Sequence, residues 1–168
     1  MALLNRLLGK KNITGNWVRD IPGPLLVDLD RFALGSAKLG ERFEALCFLG
    51  PDSDPYKMHF RHDYPDLGIS VEQSEDGSRF DGLTVNLTGY RGHALFAGMF
   101  LVNNTKITIT KDTSFEHMQS LFVGWSWETF EDSTGDFIED ARFVLGHRVF
   151  EPSWDEGRAL CDIEIYRT

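Results

Sequence analysis

Two stretches of the chain, residues 33–50 and 107–124, share one pattern of apolar and polar positions. Each pattern predicts the end of a strand, a turn, and a short amphipathic helix that stops at a glycine, Gly50 in the first stretch and Gly124 in the second. A polar segment and then a β-hairpin signal follow both stretches. We interpret the chain as two copies of one structural unit.

The hairpin signals rest on strict alternation of apolar and polar residues on both sides of a turn. The first turn is predicted at Asp76-Gly77 and the second near Asp155 to Gly157. The returning strands, 83–87 and 161–166, each have one apolar and one polar face, as antiparallel strands do when one side meets solvent.

The predicted helices have apolar stripes that would cover these sheets. The first stripe is Phe43, Leu46 and Cys47. The second is Phe115, Met118, Leu121 and Phe122, behind a capping box from Thr113 to Glu116. The sequence therefore predicts an α+β fold, an internal duplication of a strand-helix-three-strand unit with antiparallel sheets, each covered by a helix.

The domain organisation follows from this pattern. Residues 1–24 form a short helix and an irregular lead-in, 25–88 the first repeat unit, 89–105 a connecting segment, and 106–168 the second unit. Units of about sixty residues are marginal alone, so we expect them to pack into one compact body. The connecting segment is too apolar to be free in solvent, and it either lies between the halves or adds a strand there.

Charge is distributed unevenly along the chain. The formal net charge is −9, yet the first nineteen residues carry four basic side chains and no acid, so the remainder sums to −13. An acidic body repels nucleic-acid phosphates and speeds encounter with basic partners. We expect a basic protein partner and no nucleic acid.

The start of the chain bears on its compartment. Its apolar stretch is short and interrupted by Arg6, which is not the pattern of a secretory signal, and we expect a cytoplasmic protein whose two cysteines are buried free thiols. Leucines at helical spacing in residues 2–8, followed by Lys10 and Lys11, leave three alternatives for residues 1–11. These are packing on the body, fraying, or weak membrane contact.

Candidate catalytic chemistry is sparse. His59, Arg61, His62 and Asp63 are the nearest approach to a metal or acid–base cluster, but on an extended segment His59 and His62 point to opposite faces. The sequence has no phosphate-binding glycine loop and no nucleophile elbow. We expect no catalytic residue, no metal and no cofactor. The alternative is a small enzyme or ligand-binding protein that uses a cleft between the repeats, with His59, His62 and Asp63 as its polar residues.

A tryptophan pair beside an acidic run is the best candidate for a partner surface, because binding hot spots favour large aromatic residues ringed by polar groups. The run from Glu128 to Asp140 does not match a calcium loop and is predicted as a solvated loop. The alternative is that both indoles close the core of the second unit. The candidate partner-binding residues are Trp125, Trp127, Phe130, Glu128, Glu131 and Asp132.

The tandem pattern, with helices that end at Leu49-Gly50 and Val123-Gly124 before a three-stranded meander, resembles the duplicated units of the β-lactamase inhibitor protein family. It is also similar to the single units of small bacterial outer-membrane assembly lipoproteins and to bacterial families grouped with toxin-neutralising immunity proteins. This resemblance implies a bacterial protein that binds another protein without catalysis.

The function that we predict is a non-catalytic protein-binding module, with an immunity-type inhibitor of a basic toxin as its most specific form. Two alternatives stay open. One is a peripheral protein of the inner membrane held by residues 1–11, and the other is the small enzyme or ligand-binding protein described above.

Overall fold

The computed structural model of the protein describes residues 13–53, 60–89, 92–131, 133–135 and 137–168. Over these residues the chain is mostly β, with 42% in twelve strands, and two short helices make up 10%. The prediction of an α+β fold with helix-covered sheets is therefore wrong.

The two helices are a 3₁₀ helix, Phe43–Leu49, and an α-helix, α1, Phe115–Leu121. The strands in chain order are β1 (Leu26–Asp28), β2 (Ala33–Leu34), β3 (Ala37–Lys38), β4 (Arg61–Tyr64), β5 (Ile69–Gln73), β6 (Phe80–Asn86), β7 (Met99–Val102), β8 (Thr105–Ile107), β9 (Ser126–Glu131), β10 (Ile138–Leu145), β11 (Arg148–Trp154) and β12 (Leu160–Arg167).

The strands are divided between two sheets. One has five strands in the order β3-β2-β1-β7-β8, with β1 and β7 parallel. The other has seven antiparallel strands in the order β4-β5-β6-β12-β11-β10-β9. Strands β6 and β12 lie side by side, from Asn86 opposite Asp162 to Gly82 opposite Tyr166. The two meanders thus form one continuous sheet instead of two separate ones, while the repeat boundaries themselves stay a prediction.

The alternation in the returning strands does place their apolar residues on a common inner face. Leu83 lies opposite Ile165 and Val85 opposite Ile163, and all four are buried. They join one apolar core with residues of the five-stranded sheet and of both helices. Burial of this apolar area is the main stabilising term of the fold.

The first helix differs from its prediction in period. Its buried residues are Phe43, Leu46 and Leu49, at intervals of three, because a 3₁₀ helix has three residues per turn. Cys47 is consequently exposed, not buried as expected, and Cys161 is half-buried; both are free thiols.

The second helix lies where it was predicted, but its cap differs by one residue. Ser114 is the N-cap, and its hydroxyl accepts a hydrogen bond from the His117 amide at 3.3 Å. Thr113 is buried and its hydroxyl oxygen accepts from the Thr110 amide instead. Met118 and Phe122 are buried beneath the helix.

Some strands form where the sequence pattern did not specify them. Residues 33–38, predicted as a strand end and a turn, are a tight hairpin ahead of the 3₁₀ helix, with Ala33 opposite Lys38. The connecting segment 89–105 supplies β7, one of the two alternatives that the sequence left open. The predicted solvated loop from residue 128 onward contains β9 and the start of β10.

A carboxylate joins the two halves within the five-stranded sheet. Asp30, after β1, accepts hydrogen bonds from the amides of Asn103 and Asn104, both at 2.7 Å. These asparagines form the β7–β8 turn with positive φ values of 50° and 59°, a conformation that Asn tolerates better than most residues. The contact fixes the β7–β8 hairpin beside β1.

A polar network is buried under β4. His62 is 5% exposed, and its Nδ1 lies 2.6 Å from Asp52 Oδ2, while Nε2 lies 3.3 Å from Gln73 Oε1. The hydroxyl of Thr14 donates to the same Asp52 oxygen at 3.1 Å and accepts from the Asp52 amide at 3.0 Å. The network ties the segments around residues 14 and 52 to the seven-stranded sheet.

We expect His62→Ala to lower the free energy of unfolding by about 3 kcal/mol, because it removes the imidazole from a buried carboxylate. Urea unfolding followed by circular dichroism measures the change. His117→Ala, on the exposed side of α1, is the control and should change stability by less than about 0.5 kcal/mol. Equal effects of the two substitutions would show that the buried network does not contribute to stability.

Candidate functional site

Four of the six predicted partner-binding residues lie on β9, the last strand of the seven-stranded sheet. Trp127 is opposite the buried Phe143 of β10 and faces the core side, whereas Glu128 and Phe130 face the opposite, outer side. Glu131 ends the strand and is exposed. Asp132 lies outside the described residues. The residues therefore share one strand but not one face.

Trp125 belongs to the core side and not to the strand surface. Its ring packs on Phe122, with centroids 5.1 Å apart, and stacks on Phe32 at 6.1 Å. The alternative that the indoles close the core thus describes Trp125. Trp127 is exposed, at 52%, although its ring contacts Phe115 edge-on with centroids 5.5 Å apart.

Arg142 of β10 organises the outer side of this edge. Its guanidinium forms ion pairs with Glu128 at 3.0 Å and with Glu151 at 2.8 Å, and lies 5.4 Å from the centre of the Phe130 ring. The hydrogen bond to Glu151 and the charge of that carboxylate raise the pKa of Arg142 further above its usual value, so it stays charged. Glu128 is therefore largely neutralised by its neighbour.

A second group of carboxylates among the described residues lies further along the outer face, in the middle of the sheet. Two adjoining depressions of about 350 and 210 Å³ share Thr84 and Glu164. We call them together the acidic groove. Its carboxylates come from β5, β12 and the start of β6, namely Glu72, Asp162, Glu164 and Asp81.

None of these four carboxylates forms an ion pair with another residue in the described part of the chain. Two arginines line the groove. Arg61 is paired with Asp63 at 3.0 Å, and the guanidinium of Arg167 donates to the carbonyl oxygen of Leu39 at 3.3 Å. Four carboxylates against two arginines leave the groove net anionic.

The environment of the groove resists ionisation of two of its acids. Partial burial raises the pKa of Asp162, and the nearby Asp140 carboxylate raises it further. Partial burial also raises the pKa of Glu164, with Glu72, Asp162 and Glu151 contributing. Loss of water contact and repulsion between like charges both disfavour the charged form. A bound cation would relieve this repulsion.

Space for the charged groups comes from a glycine. A Cβ atom on Gly82 of β6 would lie 3.1 Å from Glu72 Oε2, tighter than ordinary contact. The glycine therefore leaves the Glu72 carboxylate lying across the floor of the groove. Over the described ranges, no group of three or more His, Cys, Asp or Glu side chains is arranged to hold a metal ion. The spread of the acids across several strands suits an extended organic cation better.

The histidine cluster considered from the sequence does not come together in the described residues. His62 points into the core and Asp63 to the outer face, as neighbours on a strand do, and His59 lies outside the described residues. His93, by contrast, is among the residues that line the acidic groove.

Sequence analysis identified the polar faces of β5, β6 and β12 but did not bring them together. Residues 70 and 72, 84 and 86, and 162 and 164 alternate with apolar residues, which was the available signal. Their convergence depends on β6 pairing with β12, a contact between residues far apart in the chain. Nothing in the local pattern specifies that pairing.

Comparisons of the chain with protein-family models, with curated proteins and with solved structures found no match in any of the three. Among the residues that the structure describes, no helix has the length and apolar character to cross a membrane. Arguments about function therefore rest on the geometry and charge of the site.

We expect Asp162→Asn to stabilise the protein near neutral pH and to lose this effect in acid. The pKa of this carboxyl is higher in the folded than in the unfolded state, so its ionisation lowers the stability of the protein at neutral pH. Below the ordinary pKa of 3.8 the carboxyl is protonated in both states and this cost disappears. The melting temperature of the variant should therefore exceed that of the parent by about 2 °C or more at neutral pH. The two should converge as the pH falls below 3.8.

Thermal unfolding across this pH range measures the effect, with Glu75→Gln as the control for loss of one charge. Glu75 is exposed in the β5–β6 turn, outside the groove. A gain in melting temperature for Asp162→Asn that does not exceed that of the control, or that persists in acid, would contradict an electrostatic cost of the ionised Asp162.

Proposed function

We propose that the protein is a non-catalytic binding module for a basic protein partner, and that the acidic groove receives the partner's cationic side chains. The observation that carries this proposal is a set of crowded carboxylates with no ion pair among the described residues, two of them with raised pKa values. Perturbed acids in a depression are candidates for functional groups, because folding alone gains nothing from crowding them.

Charge supports a basic partner over other classes. The net charge of −9 and the groove at the middle of the sheet favour approach of lysine and arginine side chains and repel phosphates. A groove lined by carboxylates on several strands fits a partner that presents several cations at once. An immunity-type inhibitor of a basic toxin is the most specific form of this proposal, and the cytoplasm is the compartment that we propose.

Two triple variants with the same change in net charge test the proposal. The groove variant carries Glu72→Gln, Asp162→Asn and Glu164→Gln. The matched control carries Glu75→Gln, Asp112→Asn and Glu156→Gln, three exposed acids outside the groove. Both would be used beside the parent protein for affinity capture from lysate at low and moderate salt, followed by titration of the captured partner.

We expect a basic partner whose affinity falls with salt and is at least about tenfold weaker for the groove variant, since charge-assisted contacts each contribute on the order of 1.5–3 kcal/mol. The control variant should bind within about twofold of the parent. Equal weakening by both variants would mean that only net charge matters, and the absence of any basic partner would remove the proposed function.

A further inference from the structure

Strand β9 is an open edge. It is the last strand of its sheet, and no described residue pairs with its free hydrogen-bonding edge. It runs for six residues, Ser126–Glu131, without proline, glycine or lysine. Proteins commonly protect edge strands with such residues, with bulges or with covering segments, because the free amides and carbonyls of an edge can accept another strand. The bulge in this pair lies on β10, between Ile138 and Asp140, and not on β9 itself.

The two sides of this edge have different chemistry. On the core side, Trp127 presents a ring that is 52% exposed, supported from below by Phe115. A cavity of about 320 Å³ begins next to Phe115 and is lined by Ile138 and Trp154. On the outer side lie Glu128, which is paired with Arg142, and Phe130, which is opposite Asp140; the acidic groove lies on the same face beyond β10 and β11. An added strand would therefore need apolar residues on one face and basic residues on the other.

Charge selects the occupant. A second copy of this chain would add another strand that carries Glu128 and Glu131, and acidic side chains close together across a strand pair are destabilising. The net charge of −9 on each copy adds to this repulsion. An extended segment with alternating basic and apolar residues is complementary to both faces at once.

We propose that β9 accepts an extended segment of the partner as an eighth strand, with the segment's apolar side chains against Trp127 and its basic side chains on the outer face. Main-chain hydrogen bonds then give affinity and the alternating side chains give selectivity, as in other cases of strand addition. The inference rests on the proposed function for the charge of the partner, and adds the position and the conformation of the bound segment.

The test uses the full chain and an acetylated, amidated eight-residue peptide of alternating lysine and valine. Amide hydrogen exchange of residues 126–131 is measured by NMR with and without the peptide. Because alternate amides of an edge strand point away from the sheet, we expect every second amide of β9 to slow by about tenfold or more. A peptide of alternating glutamate and valine should leave these rates unchanged.

Neighbouring proline substitutions provide a second measurement. The amides of Glu128 and Thr129 point to opposite edges of the strand. Of the variants Glu128→Pro and Thr129→Pro, one therefore removes a hydrogen bond to β10 and the other removes a donor on the free edge. We expect the variant that keeps its melting temperature to bind the lysine–valine peptide about tenfold more weakly. Trp127→Ala should weaken binding similarly, and Val123→Ala, which is 77% exposed but precedes the strand, should not.

The outcomes separate this inference from the proposed function. Slowed exchange on alternate β9 amides supports strand addition. Peptide binding that the groove variant weakens while the β9 amides exchange as before overturns strand addition and leaves the acidic groove as the binding site. Absence of binding by any basic peptide or partner removes both proposals. Protection of β9 that grows with protein concentration in the absence of peptide overturns the inference in favour of self-association.

Discussion

The pairing of β6 with β12 is the contact on which the rest of the structure depends. These strands come from the two halves of the chain, and five residue pairs join them, from Asp162 and Asn86 to Tyr166 and Gly82. On the inner side the pairing brings Leu83, Val85, Ile163 and Ile165 into one apolar layer. On the outer side it brings Thr84 next to Glu164. The same hydrogen-bonded ladder thus builds the core and assembles the groove, so the groove depends on the joining of the two halves.

On the outer face, some carboxylates are paired with arginines and others are crowded by further acids. Arg61 and Arg142 each hold a carboxylate at about 3 Å, and these pairs lie toward the two margins of the sheet. Between them Asp162 and Glu164 are crowded by other acids, which costs stability at neutral pH. A protein selected for stability alone would gain from an amide at either position. The retention of carboxylates there is consistent with a role in binding, since functional sites commonly trade stability for activity.

Local patterns in the sequence identified most strands of the hairpins and the position of α1, because alternation and helical spacing are short-range signals. They failed where tertiary contacts decide the structure. Phe43, Leu46 and Cys47 suit an α-helix, but packing of Leu49 in the core selects a 3₁₀ helix and turns Cys47 outward. The acidic run that begins at Glu128 was predicted as a solvated loop, yet residues 126–131 form β9. Their partner β10, with Phe143 and Ala141 beneath, makes them a strand. The pairing of β6 with β12, which forms the groove, is not indicated by any local pattern in the sequence.

In the proposed function, the exposed edge at β9 and the acidic outer face act together. A sheet ends either where a strand is covered or where it is short, charged or interrupted, and β9 is neither covered by a described residue nor interrupted. Among the described residues, its protection is the repulsion between acidic copies, which disfavours self-association but not pairing with a basic strand. In the proposed complex the acids of the outer face would act twice, by attracting the partner's cations and by opposing pairing between identical edges. An aromatic edge can then stay exposed without self-association, because the charge that attracts a basic segment repels a second copy.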